Sequence, residues 1–292
     1  MEKAIKKAAV LVEALPYIQA FKGAVVLIKV GGSVMEVAEN LERLLVDITF
    51  MNAVGIKVVL VHGGGKAISR GMLNVGIEAE FVNGLRVTDD KSIKVVESVI
   101  KNEVNSNVIS VLRKHKADAH ALHGDDIFIV EKKTDVHPES GRILDWGYVG
   151  LPVKVETTKV FEMIDAGMIP VVTPLGRCTD GELYNINADT AAAALAKAMK
   201  VSKLVFVSDV PGLLMDVHDQ ETLLKSLRIS SLQKFKESGV VGGGMLPKLD
   251  SCVEAINAGV GKVHLVDGRM SHSLLLEIFT KQGVGTEIKA DE

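Results

Sequence analysis

Two glycine-rich turns, Lys29-Val30-Gly31-Gly32-Ser33 and Val61-His62-Gly63-Gly64-Gly65, each follow a short apolar run, at residues 25–28 and 58–61. Glycine has no Cβ, so successive backbone N–H groups can approach a ligand closely and converge on it. Two such turns at strand ends, one carrying a lysine, suit a highly charged anion, and phosphate is the first candidate. A lysine in a buried strand is costly without an anionic partner. An edge lysine reaching solvent would also account for Lys29 taken alone, but Gly31-Gly32 directly after it favours a ligand.

Three further segments carry polar groups to the ends of elements. Asn185-Ile186-Asn187-Ala188-Asp189 precedes an alanine-rich run; one helix cap explains part of it, but three short polar side chains exceed what a cap requires. Ser208-Asp209-Val210-Pro211-Gly212-Leu213 follows a buried run and is either a plain turn or part of the ligand edge of an open α/β sheet. Gly242-Gly243-Gly244-Met245-Leu246-Pro247-Lys248 delivers a lysine to the start of a helix on a flexible arm, as a mobile phosphate clamp would. Lys29, Lys248 and Asp189 together suggest phosphoryl transfer by electrostatics, with two ammonium groups neutralising the transferred group and one aspartate orienting them. The His62–Gly65 turn looks like an esterase oxyanion loop, but no Gly-x-Ser-x-Gly elbow accompanies it. The dinucleotide and Walker A patterns are missing as well.

The elements that must position these residues alternate. Valine- and isoleucine-rich runs at 25–30, 58–61, 169–173, 204–207 and 263–266 read as strands covered on both faces. Helical spacing appears at Leu41, Leu44, Leu45 and Ile48, and again at Ile93, Val96, Ile100, Val104, Val108 and Leu112, where Thr88-Asp89-Asp90 supplies a cap and acidic first turn. Residues 188–199, 249–258 and 273–280 complete the helices. The alternation predicts an α/β fold with a largely parallel sheet and helices on both faces. Residues 127–184 differ: Asp145-Trp146-Gly147-Tyr148-Val149-Gly150 and Asp180-Gly181 read as turns between antiparallel strands, and a lobe boundary is expected near 176–185. Upstream, Ile5, Ala8, Val12 and Leu15 mark a one-striped helix that Pro16 ends or kinks, with a short second piece at 17–22. Its stripe must pack either on its own domain or on another subunit.

The 292-residue chain is 47% hydrophobic, 24% charged and 4% aromatic, with a net charge of −3. That balance offers neither a basic field nor a stacking surface for nucleic acid. Cys178 and Cys252 form no CxxC pattern, so no disulfide framework is implied and a reduced, cytoplasmic setting is expected. No apolar run reaches about 18 residues, so no membrane span is expected. The N-terminal stretch, interrupted by Glu2 and Glu13, reads as an amphipathic helix rather than a signal peptide.

Six motifs in order resemble the amino-acid kinase family: Lys29–Gly32, His62–Gly65, Asn83-Gly84-Leu85-Arg86-Val87-Thr88, Asn185–Asp189, Ser208–Gly212 and Gly243–Lys248. The resemblance covers nearly the whole chain. Val30 and Ser33 depart from the family's common residues. It implies an open αβα sandwich over residues 23–292, with an acyl-amino-acid lobe at about 23–180 and an ATP lobe at about 181–292. It also implies transfer of the γ-phosphoryl group of ATP to the side-chain carboxylate of N-acetyl-L-glutamate, the second step of acetylated arginine biosynthesis. Lys29 and Lys248 would then stabilise the transition state, and Asp189 would organise them. Gly64, Gly65, Arg86 and Asn185 would bind the acceptor. Gly31, Gly32, Ser208, Asp209, Val210, Pro211, Gly212, Leu213, Gly243, Gly244 and Met245 would surround the nucleotide. Mg²⁺ would ride on the phosphates, without protein ligands of its own.

Residues 1–22, with Ala14-Leu15-Pro16-Tyr17-Ile18, resemble the oligomerisation helix of arginine-inhibited, hexameric members of the family, which are trimers of dimers. The tail around His264–Arg269, Glu277 and Gly283-Val284-Gly285 resembles their regulatory signature. This implies an arginine site formed by Tyr17, Lys203, Glu277 and Gly285, and leaves open a nitrogen-signalling protein as a partner. Glu277 could equally be a solvated helix charge. The competing readings are a sibling carbamate, glutamate, aspartate or uridylate kinase, and a non-catalytic arginine sensor.

Overall fold

The computed structural model describes residues 1–136, 141–216, 218–237 and 245–291. Helix α1 (Glu2–Phe21) leads to β1 (Val25–Val30), α2 (Ala38–Ala53) and β2 (Lys57–His62). Helix α3 (Gly65–Asn74) and a hairpin of β3 (Phe81–Val82) and β4 (Leu85–Arg86) follow. Helix α4 (Asp90–Ser98) runs through a π-helical segment (Val99–Asn105) into α5 (Ser106–Lys114). Then come β5 (Ala119–Leu122), β6 (Phe128–Val136), β7 (Ile143–Val155), α6 (Thr158–Asp165), β8 (Ile169–Val172), β9 (Leu175–Arg177) and β10 (Leu183–Asn185). The chain closes with α7 (Ala188–Met199), β11 (Lys203–Ser208), β12 (Ser226–Arg228), α8 (Ile229–Glu237), α9 (Met245–Asn257), β13 (Lys262–Asp267), α10 (Ser273–Phe279) and β14 (Thr286–Lys289).

Eight strands form one sheet in the order β12-β14-β13-β11-β1-β2-β8-β5. All neighbours are parallel except β13 and β14. The chain leaves β1 toward β2 on one side and returns to β11 on the other. That reversal opens a crevice at the carboxyl ends of β1 and β11, the place where open α/β sheets bind ligands. Strand pleat decides which side chains face which layer. Leu27, Val59, Val61, Leu204 and Phe206 pack under α7 and α9; Val26, Ile28, Val30, Val58, Leu60, Val205 and Val207 pack under α2, α5 and α10. Lys29 shares the parity of Leu27, so it faces α7.

Four expectations need correction. Residues 145–150 are not a turn: they lie inside β7, where Trp146 is buried. Gly147 has φ +71°, and a Cβ there would stand 2.2 Å from the Thr88 carbonyl oxygen, so this glycine permits close backbone approach within a strand. Asp180-Gly181 is a turn, between antiparallel β9 and β10. Strands β6, β7, β9 and β10 close into a small barrel rather than simple hairpins beside the sheet. Pro16 does not end the first helix; α1 runs through it to Phe21, and no separate piece exists at 17–22. The stripe of α1 does not pack on its own domain either: Ile5, Val12 and Leu15 are 62%, 67% and 48% exposed. Among the described side chains of α1, those that dock lie in its last turns: Tyr17, Ile18 and Phe21. No described helix is long and apolar enough to cross a membrane.

Candidate active site

Lys29 is the last residue but one of β1, a central strand of the sheet, and its ammonium meets Asp189 Oδ1 at 2.8 Å. Asp189 stands in the first turn of α7. Asn187 caps that helix by accepting hydrogen bonds from the N–H groups of Asp189 and Thr190. Lys248, in the first turn of α9, donates to the other carboxylate oxygen, Oδ2, at 2.7 Å. Its Nζ also lies 5.0 Å above the centre of the Phe206 ring, next to Lys29 in register. One carboxylate thus separates two buried cations.

The electrostatics follow from that arrangement. Burial would raise the Asp189 carboxyl, but the charges and hydrogen bonds of Lys29 and Lys248 outweigh it and hold the group far below the usual carboxylate range. Burial pulls the Lys29 ammonium below its ordinary value; Asp189 opposes that shift and Lys248 adds to it. Asp189 stays ionised, and both of its oxygens are engaged by lysines.

Gly31 is required by Lys29 itself. A Cβ at residue 31 would stand 2.3 Å from the Lys29 Nζ, which folds back across the turn. Gly32 adopts φ +67° against the Asp209 carboxylate, and the Ser33 N–H donates to Asp209 Oδ2 at 3.3 Å. The two turns that end β1 and β11 are therefore tied together. Burial acts to raise the Asp209 carboxyl, but the Ser33 hydrogen bonds hold it below its usual value.

A cleft of about 220 Å³ opens beside Lys29 and Asp189, and Gly64, Gly65, Arg86 and Asn185 all line it. Gly65 opens α3, so its N–H is among the helix's unpaired donors. A Cβ at Gly64 would stand 2.5 Å from Ile100 Cδ1. Arg86, buried on β4, donates to the Gly65 carbonyl oxygen and to Ser69 Oγ, each at 2.8 Å, and its guanidinium lies 4.7 Å from the Phe81 ring centre. Among the described residues no carboxylate pairs with it, and burial lowers its pKa. A buried guanidinium held by neutral groups at the wall of a cleft is a receptor for an anion. A larger cavity of about 810 Å³ adjoins this cleft and shares Gly84, Leu85, Val149, Asn187 and Asp189 with it; Asp250 and Ser251 form its far wall.

The segment 208–213 lies beside the first turn but borders neither cavity. Val210 and Pro211 are half-buried, whereas Leu213 is buried and its N–H donates to Thr286 Oγ1 at 2.9 Å. A Cβ at Gly212 would stand 2.5 Å from that same oxygen, so Gly212 and Leu213 hold the turn against β14. Met245 opens α9, while Gly243 and Gly244 lie outside the described residues.

The four residues expected to meet arginine divide. Lys203, Glu277 and Gly285 form one buried network with His264, which the motifs had not singled out as a partner. Lys203 Nζ approaches His264 Nε2 at 3.1 Å, His264 Nδ1 meets Glu277 Oε1 at 2.7 Å, and Glu277 Oε2 accepts from the N–H groups of Val284 and Gly285, each at 2.8 Å. Glu277 is therefore not a solvated charge. Burial would raise it, but these hydrogen bonds keep it below its ordinary value. Tyr17 instead borders a separate groove of about 510 Å³ between α1 and Thr280, Lys281 and Gln282.

Sequence reasoning also missed Ser33–Asp209, the Ser69 and Phe81 support of Arg86, and Trp146. The Trp146 Nε1–H donates to the Val82 carbonyl at 2.9 Å, tying the β3–β4 hairpin to β7. Most of these contacts join segments well separated in sequence, and a motif read alone does not show which other segment it meets.

A model of the amino acid kinase family matches residues 24–267. The chain is 45% identical to an acetylglutamate kinase of Heliobacterium modesticaldum over 99% of both chains. It is 43% identical to one of Akkermansia muciniphila over 97% of this chain and 96% of that one. An N-acetylglutamate synthase from Neisseria gonorrhoeae, solved with coenzyme A and N-acetyl-glutamate, superposes with TM-score 0.85 at 26% identity; the match covers 98% of this chain but 64% of that longer one. The same synthase solved with coenzyme A and L-arginine gives TM-score 0.81 at 25% identity, over 97% of this chain and 65% of that one. Carbamate kinase from Giardia lamblia shares the fold, with TM-score 0.65 at 17% identity over 92% of this chain and 99% of that one. By the span of the family model and the identity to its full-length relatives, this chain belongs to the amino acid kinase family.

Proposed function

We propose that the chain is an ATP-dependent kinase that phosphorylates the side-chain carboxylate of N-acetyl-L-glutamate. The observation that carries this reading is the Lys29–Asp189–Lys248 bridge beside a cleft whose wall holds a buried guanidinium that no described carboxylate pairs. The full-length likeness to acetylglutamate kinases supports the choice of acceptor. In this reading Arg86 takes the α-carboxylate of the acceptor, Asn185 its acetamido end, and Gly64 and Gly65 the carboxylate to be phosphorylated. An oxygen of that carboxylate attacks the γ-phosphorus, the bond to the bridging oxygen breaks, and ADP leaves with the electron pair. Lys29 and Lys248 neutralise the charge that spreads across the moving phosphoryl group. No proton needs to be removed from an ionised carboxylate, which fits the lack of any basic imidazole among these groups.

Residues at about 23–180 would form the acceptor lobe and about 181–292 the nucleotide lobe, and Gly31, Gly32, the 208–213 turn and Gly243–Met245 would bind the nucleotide. Asp189 has both oxygens on lysines and Asp209 is held by Ser33, so Mg²⁺ would ride on the phosphates and neutralise them when bound. Arginine inhibition is part of the proposal. The Tyr17 groove beside the Lys203–His264–Glu277 network supports it, as does the L-arginine bound by a matched synthase. The exposed α1 stripe supports assembly into a hexamer through interlaced helices. A nitrogen-signalling protein that relieves inhibition, and a cytoplasmic site of action, belong to the same picture.

The test is ATP turnover with N-acetyl-L-glutamate, glutamate, aspartate and carbamate offered separately, with hydroxylamine trapping any acyl phosphate. N-Acetyl-L-glutamate alone should give rapid hydroxamate formation, suppressed by millimolar arginine. Turnover of unacetylated glutamate with acetylglutamate inert would move the protein to a sibling activity. Arginine binding without any turnover would make it a sensor.

A further inference from the structure

His62 and Asn105 lie on the face of the sheet opposite the lysine bridge, and both are fully buried. Asn105 closes the π-helical segment between α4 and α5. Its Nδ2 lies 3.0 Å from the Val171 carbonyl oxygen and 3.0 Å from His62 Nε2. A carbonyl oxygen can only accept, so the atom facing it is the amide nitrogen. That nitrogen's second hydrogen then points at His62 Nε2, which must be bare. The imidazole proton is therefore on Nδ1, which sits 2.7 Å from the Gly63 carbonyl oxygen and donates to it. Burial pulls the His62 pKa down to about 4, so the ring stays neutral and keeps this single tautomer.

The consequence lies in the next peptide plane. A trans peptide points its C=O and its N–H in opposite directions. Fixing the Gly63 C=O on His62 therefore turns the Gly64 N–H away from the ring, toward the cleft that Gly64 lines. Among the described residues this N–H has no acceptor. The Gly63 N–H is held by the Val30 carbonyl at 2.7 Å, so the peptide planes before and after Gly63 are both held.

From this geometry we infer that His62, locked as the Nδ1–H tautomer by Asn105, is a positioning residue that aims the Gly64 N–H at the acceptor carboxylate. The inference rests on the acceptor site proposed above. The π-helical segment has a role in it: the same segment brings Ile100 against Gly64 and Asn105 against His62. A π-turn at such a place is a common mark of a functional site.

The experiment follows the Gly64 amide resonance by ¹⁵N–¹H NMR as N-acetyl-L-glutamate is added with a non-hydrolysable ATP analogue, alongside steady-state kinetics. In the wild type the Gly64 N–H should shift downfield on binding, and the His62 ring should show a protonated Nδ1 and a bare Nε2. His62→Leu removes the donor; its Gly64 response should be lost, and kcat/KM for the acceptor should fall about 10–100-fold, the worth of one oriented donor, while KM for ATP stays put. His62→Asn returns an N–H near the Nδ1 position and should recover most of that loss. A folded His62→Leu protein with the wild-type Gly64 response and acceptor KM would overturn the inference. So would an equal loss in His62→Leu and His62→Asn. If neither His62 variant folds, Asn105→Leu is read by the same two signals and decides the question in the same way. A wild-type Gly64 N–H indifferent to N-acetyl-L-glutamate would instead remove the acceptor site on which the inference depends.

Discussion

Lys29 reaches Asp189, at 2.8 Å, by folding its side chain over a residue that has no Cβ. The turn is thus part of the charge geometry and does more than let the chain reverse. Gly31→Ala should displace the ammonium without unfolding the protein. Turnover is expected to fall up to about 100-fold, the scale for a misplacement of about 1 Å at a reacting centre. Circular dichroism and the thermal midpoint should stay close to wild type; a Gly31→Ala enzyme of full activity would refute the constraint.

Asp189→Asn leaves two ammonium groups facing each other without an anion. Turnover should drop by about 10²–10³, the range for a preorganised charge contact, and stability by about 3 kcal/mol, as when a buried pair loses one partner. Chemical denaturation would measure the second effect. A variant with unchanged stability would show that the lysines do not need Asp189 in the resting protein.

Activity should also fail on the alkaline side. Burial holds the Lys29 ammonium below its ordinary value of 10.5, so it loses its proton earlier than a free lysine as pH rises. The pH profile of kcat/KM for ATP should bend downward with a midpoint below that value, and Lys29→Arg should remove the bend. The same shift has the opposite sign for stability: between the two pKa values the unfolded chain holds more protons, so folding gains as pH rises.

Arg86→Lys is not conservative here. A lysine keeps the charge but cannot span Gly65, Ser69 and the acceptor together. KM for N-acetyl-L-glutamate should rise at least about 10-fold with little change in KM for ATP.

At the other end of the molecule, His264 and Glu277 both lie below their ordinary values of 6.5 and 4.5. Burial drives the first shift; for Glu277 burial opposes it, and hydrogen bonds prevail. Each group binds protons more readily unfolded than folded. Stability should therefore be full above pH about 6.5, decline below it as the unfolded imidazole titrates, and decline further below about 4.5. Glu277→Gln should flatten the lower part of that profile, cost about 1–3 kcal/mol and abolish any thermal shift given by arginine. An unchanged arginine response would place the effector on the Tyr17 groove alone.

Much of this arrangement was legible in the sequence because the groups are tied to element ends. Lys29, Asp189 and Lys248 each sit within one turn of a strand or helix terminus, where glycine, asparagine and charge leave a local signature. Asp89 was legible in the same way: it caps α4 by accepting from the Ser92 N–H. What stayed hidden depends on meeting at a distance. Nothing near Asn105 announces His62, and nothing near Asp209 announces Ser33. Gly147 misled because its composition is that of a turn while its role is close approach to Thr88. Helix α3 opens on glycine and carries few apolar residues, so its period is weak, and β5, β12 and β14 are three or four residues long, too short to show a period.

The central claim is that Lys29, Asp189 and Lys248 act together to transfer a phosphoryl group to N-acetyl-L-glutamate. Its most direct test is the rate of hydroxylamine-trapped acyl phosphate formed from that acceptor and ATP, measured for the wild type beside Lys29→Met, Lys248→Met and Asp189→Asn. The account predicts steady hydroxamate formation by the wild type and a loss of about 10²–10³ in each folded variant. No hydroxamate from the wild type, or variants that keep pace with it, would contradict the account.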